Sequence, residues 1–188
     1  VIFLIIVAAF GILVILNTKG YILTDAQLAR FNFWDPCSRY ETGGYQICNS
    51  FIAINSGGLT GLGVGKSKQK YSYIPEAHTD SVFSIIVEEY GLLFVTPIFI
   101  GYIFILKRIL DISMNATTIR GQYLALGVAI YIFMHILINL GGLFGIMPLT
   151  GVPLPFLSYG GSFALSLIVS LAIVQRVHIE TKRERIRI

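Results

Sequence analysis

Charge is what this sequence has least of. Of its 188 residues 13% are charged, while 55% are hydrophobic and the mean hydropathy is +0.75. Soluble domains carry about a quarter charged residues. An ordinary water-soluble domain is therefore excluded, and so is disorder, which needs low hydrophobicity. Cysteine is sparse too. Cys37 and Cys48 sit in a loop-like stretch without the C-x-x-C spacing of zinc and redox sites, and ordinary thiols are expected. There is no low-complexity tract and no convincing internal repeat. No signal peptide is visible either. The chain begins Val1-Ile-Phe-Leu-Ile-Ile, without Met or a charged leader, so a fragment of a longer protein is expected.

What is present is apolar length. At about 20 residues per crossing, the chain has room for roughly four or five membrane helices. Four runs are clear: Val1 to Leu16, Ser81 to Leu106, Gln122 to Phe144 and Phe156 to Val174. A weaker run, Tyr45 to Leu62, is rich in Ser, Ala and Gly, residues that let helix backbones approach closely inside a bundle. Basic residues favour the cytoplasmic side, which puts the tail at 176–188 (Arg176, Lys182, Arg183, Arg185, Arg187) inside. If the weak run crosses, eleven Lys and Arg lie inside and three outside. If it does not, the counts are eight and six. Five crossings are therefore expected, the second short or irregular. The predicted class is all-α: a polytopic helix bundle forming a single membrane domain over 1–188. Membrane lipids are its surroundings, and no nucleic-acid partner is expected.

The most polar stretch between runs, 63–80, falls outside under this orientation. It carries Lys66, Lys68 and Lys70, then Glu76, His78 and Asp80 just before an apolar run. The alternating lysines are either a solvated charge run or point charges for a phosphate or pyrophosphate at the membrane surface. Thr79 or Asp80 is placed to cap the following helix. The alternative for Asp80 is a general base or a metal ligand. Glu76, His78 and Asp80 alternate, so an extended segment projects all three to one side. Glu88 and Glu89 lie in the next run, where acidic residues are functional by default unless they pair within the bundle. His135 and Asn139 share a helix face, with interhelical hydrogen bonding as the plain expectation. The outside stretch 147–157 holds three of the six prolines, Pro148, Pro153 and Pro155, yet stays apolar. Proline resists helix, so a packed or re-entrant loop shielded by protein is predicted on the side of Asp80.

Two long motifs carry a resemblance. One runs from Gly43-Gly-Tyr-Gln46 through Ile54-Asn-Ser-Gly-Gly-Leu59, Gln69-Lys-Tyr71 and Pro75-Glu-Ala-His-Thr-Asp80 to Glu88-Glu-Tyr-Gly91. The other runs from Asn139-Leu-Gly-Gly142 through Pro148-Leu-Thr-Gly-Val-Pro-Leu-Pro-Phe-Leu-Ser-Tyr-Gly-Gly-Ser162. Over nearly its whole length the sequence resembles the SEDS family (FtsW, RodA and SpoVE), and it looks most like the FtsW branch. The resemblance implies a ten-span enzyme, of which this chain would be the C-terminal half, spans six to ten. It implies a peptidoglycan glycosyltransferase that polymerises lipid II on the outer face of the bacterial cytoplasmic membrane, in division or elongation, beside a class B penicillin-binding protein. The family's key acidic residue maps to Asp80. Ser81 stands where the family usually has an aromatic residue.

The expected chemistry is glycosyl transfer from an undecaprenyl-pyrophosphate-linked glycan to the sugar hydroxyl of an incoming lipid II. Asp80 serves as base or holds a divalent cation, Mg²⁺ by the resemblance. Glu76, His78, Lys66, Lys68, Lys70 and Ser158 are placed as substrate-binding residues. Two rivals are a lipid II flippase, with Glu88, Glu89, His135 and Asn139 lining its path, and a non-catalytic scaffold of the division complex.

Overall fold

The computed structural model describes residues 36–42, 44–72, 74 and 78–187. The run Val1–Leu16, with Lys19, Arg30 and Glu76, lies outside the described residues. The elements in order are a 3-10 helix (Cys37–Thr42), α1 (Tyr45–Gly57), α2 (Gln69–Ser72), α3 (Val82–Asn115), α4 (Ile119–Leu143) and α5 (Gly161–Arg187). The all-α class holds. Among the described residues three helices, α3, α4 and α5, are long and apolar enough to cross a membrane. Their large outward side chains, among them Leu93, Ile103, Tyr123 and Leu165, are exposed. That pattern suits a lipid-facing surface and not a soluble one.

The three helices pack through small and branched residues. Ile109 of α3, Ala125, Ala129 and Ile132 of α4, and Leu167 and Val174 of α5 form one core cluster. A second cluster, near Leu143, joins Phe83, Val87, Val95 and Tyr102 to Leu154. It holds the surprise of the fold. Phe83 and Phe99 meet with ring centroids 5.7 Å apart. Sixteen residues of straight helix rise about 24 Å, so α3 cannot be straight. It breaks at Gly91, whose φ of 80° and ψ of 168° lie outside the helical region. The arm Val82–Tyr90 folds back toward the long arm Leu92–Asn115.

A break in a helix frees backbone groups that must find partners. Here the tip of the preceding segment supplies them. Leu92 and Leu93 N–H donate to the carbonyls of Gly58 and Leu59 (3.0 and 3.1 Å), while the Glu88 and Glu89 carbonyls accept from Leu62 and Gly63 N–H (2.8 and 2.9 Å). The two chains can approach this closely because side chains are missing. A Cβ on Gly57 would lie 2.1 Å from the Val87 carbonyl oxygen, and one on Gly91 would lie 2.4 Å from that of Leu59.

This arrangement corrects the expected second crossing. The run Tyr45–Leu62 begins with Gln46 against Asp80 and Ser81, and ends hydrogen-bonded to Glu88. It lies along the short arm of α3, and the chain then returns to the start of that arm. Both ends of the segment 45–80 thus sit at the Leu143 end of the bundle. The 13 residues of α1 span about 20 Å, short of the roughly 30 Å hydrocarbon core. Buried Ser50, Ala53 and Gly57 do permit close approach, but against an arm of α3. With one crossing removed, the 3-10 helix carrying Arg39 lies at the Asp80 end, where the expectation had put it opposite. Eight basic positions, Lys107 to Arg187, still occupy the other end.

The cysteines are corrected as well. Cys37 and Cys48 form a disulfide, with Cα atoms 4.9 Å apart. The 3-10 turn doubles the chain back onto the first turns of α1, a proximity that residue spacing does not reveal.

Candidate functional site

Asp80 precedes the short arm of α3 and is 6% exposed. Its expected capping role is not realised. The N-cap position belongs to Ser81, whose side chain makes no capping hydrogen bond. The Asp80 carboxylate instead receives side-chain donors, all on Oδ1: Gln46 Nε2 at 3.1 Å, Thr79 Oγ1 at 3.4 Å and Ser81 Oγ at 3.5 Å. The same Gln46 nitrogen also donates to Ser81 Oγ at 3.1 Å, so the amide uses both hydrogens on this turn. Oδ2 faces Gly151, where an added Cβ would lie 3.8 Å away. Gly151 has a φ of 69°, a conformation that favours glycine.

The backbone around Asp80 is fixed from two further elements. Asn139 Nδ2 on α4 donates to the carbonyls of Asp80 (2.8 Å) and Val152 (2.7 Å). Ser158 Oγ donates to the Thr79 carbonyl and accepts from Leu154 N–H at 2.7 Å. Tyr159 N–H donates to the His78 carbonyl at 2.9 Å. The Pro-rich segment is non-helical and packed, as expected. Leu154 and Pro155 are fully buried, and Tyr102 of α3 donates to the Pro155 carbonyl. His135 Nδ1 lies 3.4 Å from the Pro153 carbonyl, and its ring stacks on Phe163. His135 and Asn139 therefore hold a loop in place, where interhelical pairing was expected.

The other candidates separate into two groups. His78 is exposed beside Asp80, and Ser158 is tied into the frame just described. The lysines gather near the break of α3. Glu88, 1% exposed, accepts from Ser67 Oγ (2.5 Å) and from Lys68 N–H (3.1 Å). Lys70 Nζ lies 3.7 Å from Glu89 Oε1. The Lys66 and Lys68 side chains are exposed. Eight to nine helical residues separate this cluster from Asp80, about 12 Å along the arm. Glu88 and Glu89 thus pair with the folded-back tip. Sequence reasoning gave no role to Gln46 and none to Gly151. Gln46 stands 34 residues before Asp80, and its one signal was membership of the first motif.

Among the described residues no group of three or more His, Cys, Asp or Glu gathers as a metal cage. Among the described residues the donor set at this site is one carboxylate with a single undonated-to oxygen. It fits Mg²⁺ of the kind carried largely by substrate phosphates, which takes one or two carboxylates from protein.

Comparison with known proteins gives this geometry its context. Residues 1–183 match the family described as "Cell cycle protein" (FtsW/RodA/SpoVE). A protein named probable peptidoglycan glycosyltransferase FtsW from Bacillus subtilis is 39% identical over 170 residues, which cover 90% of this chain and 42% of that protein. One of the same name from Hydrogenovibrio crunogenus is 43% identical over 155 residues, 81% of this chain and 40% of that protein. The chain thus spans about two fifths of the length of the curated relatives it matches. A solved structure on the coordination of polymerization and crosslinking by a peptidoglycan synthase complex shares the fold. Its TM-score is 0.66 at 24% identity, covering 94% of this chain and 49% of that one. Matched over residues 1–183 by the family model and along its length by these relatives, the chain belongs to the FtsW/RodA/SpoVE family.

Proposed function

We propose that this chain carries the catalytic carboxylate of a peptidoglycan glycosyltransferase, with Asp80 as general base in the polymerisation of lipid II. The observation that carries this is the state of Asp80. It starts a helix yet does not cap it. It is buried, and side-chain donors hold one oxygen while the other faces Gly151. A preorganised carboxylate of this kind suits proton removal at hydrogen-bond range.

In the reaction, the acceptor sugar 4-hydroxyl gives its proton to Asp80 Oδ2. The hydroxyl oxygen then bonds the donor's anomeric carbon as the bond to undecaprenyl pyrophosphate breaks. In the alternative role Asp80 would hold a divalent cation, which would supply charge neutralisation for the leaving pyrophosphate. In this reading the exposed Lys66 and Lys68 side chains meet phosphate charge, and His78 orients the acceptor. Glu76 belongs to the same strand of sequence.

The Asp80 end is the outer face of the bacterial cytoplasmic membrane in this proposal, with 63–80 and 147–157 extracellular and 176–188 cytoplasmic. Two features support that orientation. Disulfides persist in oxidising compartments, and Cys37–Cys48 lies at the Asp80 end. Basic residues favour the inside, and eight occupy the opposite end. The partner is a class B penicillin-binding protein that crosslinks the product, in division or shape maintenance.

The test uses the full-length protein. Glycan polymer formed from lipid II in detergent, where no bilayer exists to flip across, is the expected result. Lipid movement across vesicles with no polymer under any condition would overturn the proposal in favour of transport.

A further inference from the structure

At the end opposite Asp80, α3 and α5 run side by side and leave a cleft of about 270 Å³ between them. Its walls are two helix faces, each with i, i+3, i+4, i+7 spacing. Arg108, Asp111, Ile112 and Asn115 come from α3, and His178, Thr181, Lys182 and Arg185 from α5. Three permanent cations and a histidine therefore face one carboxylate. Among the described residues none of Arg108, Lys182 and Arg185 has a carboxylate within ion-pairing distance.

The cleft is also partly organised. Arg185 Nη2 donates to the Asn115 carbonyl at 3.0 Å and approaches its side-chain oxygen at 3.4 Å, which holds the guanidinium at the mouth. The Thr181 hydroxyl donates to the Val177 carbonyl of its own helix, so its proton is already used within α5. One turn above Arg108, on the same face of α3, Phe104 is 69% exposed, with Ile103 exposed beside it.

We propose that this cleft binds the phosphate of an anionic phospholipid. Arg108, Lys182 and Arg185 take the headgroup, and an acyl chain lies along Phe104. Concentrated cations at a membrane end attract anionic lipid. Guanidinium donors also match phosphate oxygens geometrically. The apolar track directly above the cations is what selects a lipid over a free phosphate. The site does not depend on the assignment of Asp80.

The experiment titrates the purified full-length protein with dioctanoyl phosphatidylglycerol and follows binding by native mass spectrometry. Parallel arms use dioctanoyl phosphatidylcholine and inorganic phosphate. Phosphatidylglycerol should bind at least about tenfold more tightly than phosphatidylcholine, and millimolar phosphate should not displace it. Each neutralisation in the cleft should weaken binding about fivefold. Lys182→Gln serves as a mild, exposed change, and Arg108→Gln/Lys182→Gln/Arg185→Gln as the full one. Arg120→Gln, an equal charge loss outside the cleft, should leave binding unchanged. Equal binding of both lipids, or undiminished binding by Lys182→Gln, would overturn the proposal. Displacement by phosphate would reassign the cleft to a free anion and overturn it as a lipid site.

Discussion

The two ends of α3 use charge in opposite ways. At the Asp80 end the acidic groups are buried beside near partners: Asp80 accepts from Gln46, Glu88 from Ser67 and the Lys68 amide, and Glu89 has Lys70 Nζ at 3.7 Å, beyond hydrogen-bond range. At the Arg185 end the cations stay exposed, Arg185 against the Asn115 carbonyl and side-chain oxygen, with Asp111 as the one carboxylate lining the cleft. The first pattern fixes geometry, because a buried polar group without its partner is costly. The second leaves charge available to a ligand. A chain with few charged residues has thus placed a rigid polar frame at one end and an unpaired cationic surface at the other.

The contrast is broken most severely at the contact between the folded-back tip and the break of α3. Gly57→Val drives a side chain into the Val87 carbonyl. It should destabilise the protein by about 3 kcal/mol, as overpacking does, read as a lower thermal unfolding temperature in detergent. Ser67→Ala removes a donor from the buried Glu88 carboxylate. A loss of about 2 kcal/mol is expected from the unmet acceptor, and Ser67→Thr should recover most of it. Gln46→Leu keeps much of the volume but removes both hydrogen bonds on the Asp80 turn. Here kcat for lipid II polymerisation should fall about tenfold, the worth of one hydrogen bond to a charged group, with KM nearly unchanged. An equal rise in KM would mean that Gln46 serves only to hold the loop. The smallest effect belongs to Lys70→Gln. A partly exposed ion pair is worth about 0.5 kcal/mol, so a loss of about 2 kcal/mol or more would show that Glu89 depends on Lys70 as strongly as Glu88 does on Ser67.

Much of this was legible in the sequence, and the failures have physical causes. Apolar run length gave the three long helices, because in a membrane that length is set by thickness. Clustered proline in an apolar stretch gave the packed loop at 147–157. The motifs gave the family and pointed to Asp80. The crossing assigned to Tyr45–Leu62 failed because a Gly-rich apolar run reads alike whether its small residues face another span or an arm of α3. Gly91 sits inside an apolar run, three residues after Glu88, and nothing local to it announces that Leu62 and Gly63 will take over its neighbours' hydrogen bonds. Cys37–Cys48 and Gln46–Asp80 are pairings made by tertiary folding, which spacing does not encode. The charge count favoured five crossings because Arg39 and its neighbours weighed on it. The disulfide and the folded-back segment outweigh that count.

The most direct test of the central claim is the rate of lipid II polymerisation by full-length protein carrying Asp80→Asn, with lipid II binding measured on the same sample. The substitution keeps the shape of the side chain and the acceptor for Gln46, and removes the basic oxygen. The account predicts a rate lower by about 100-fold or more, as for loss of a general base, with binding retained. A near-normal rate with binding retained would contradict it.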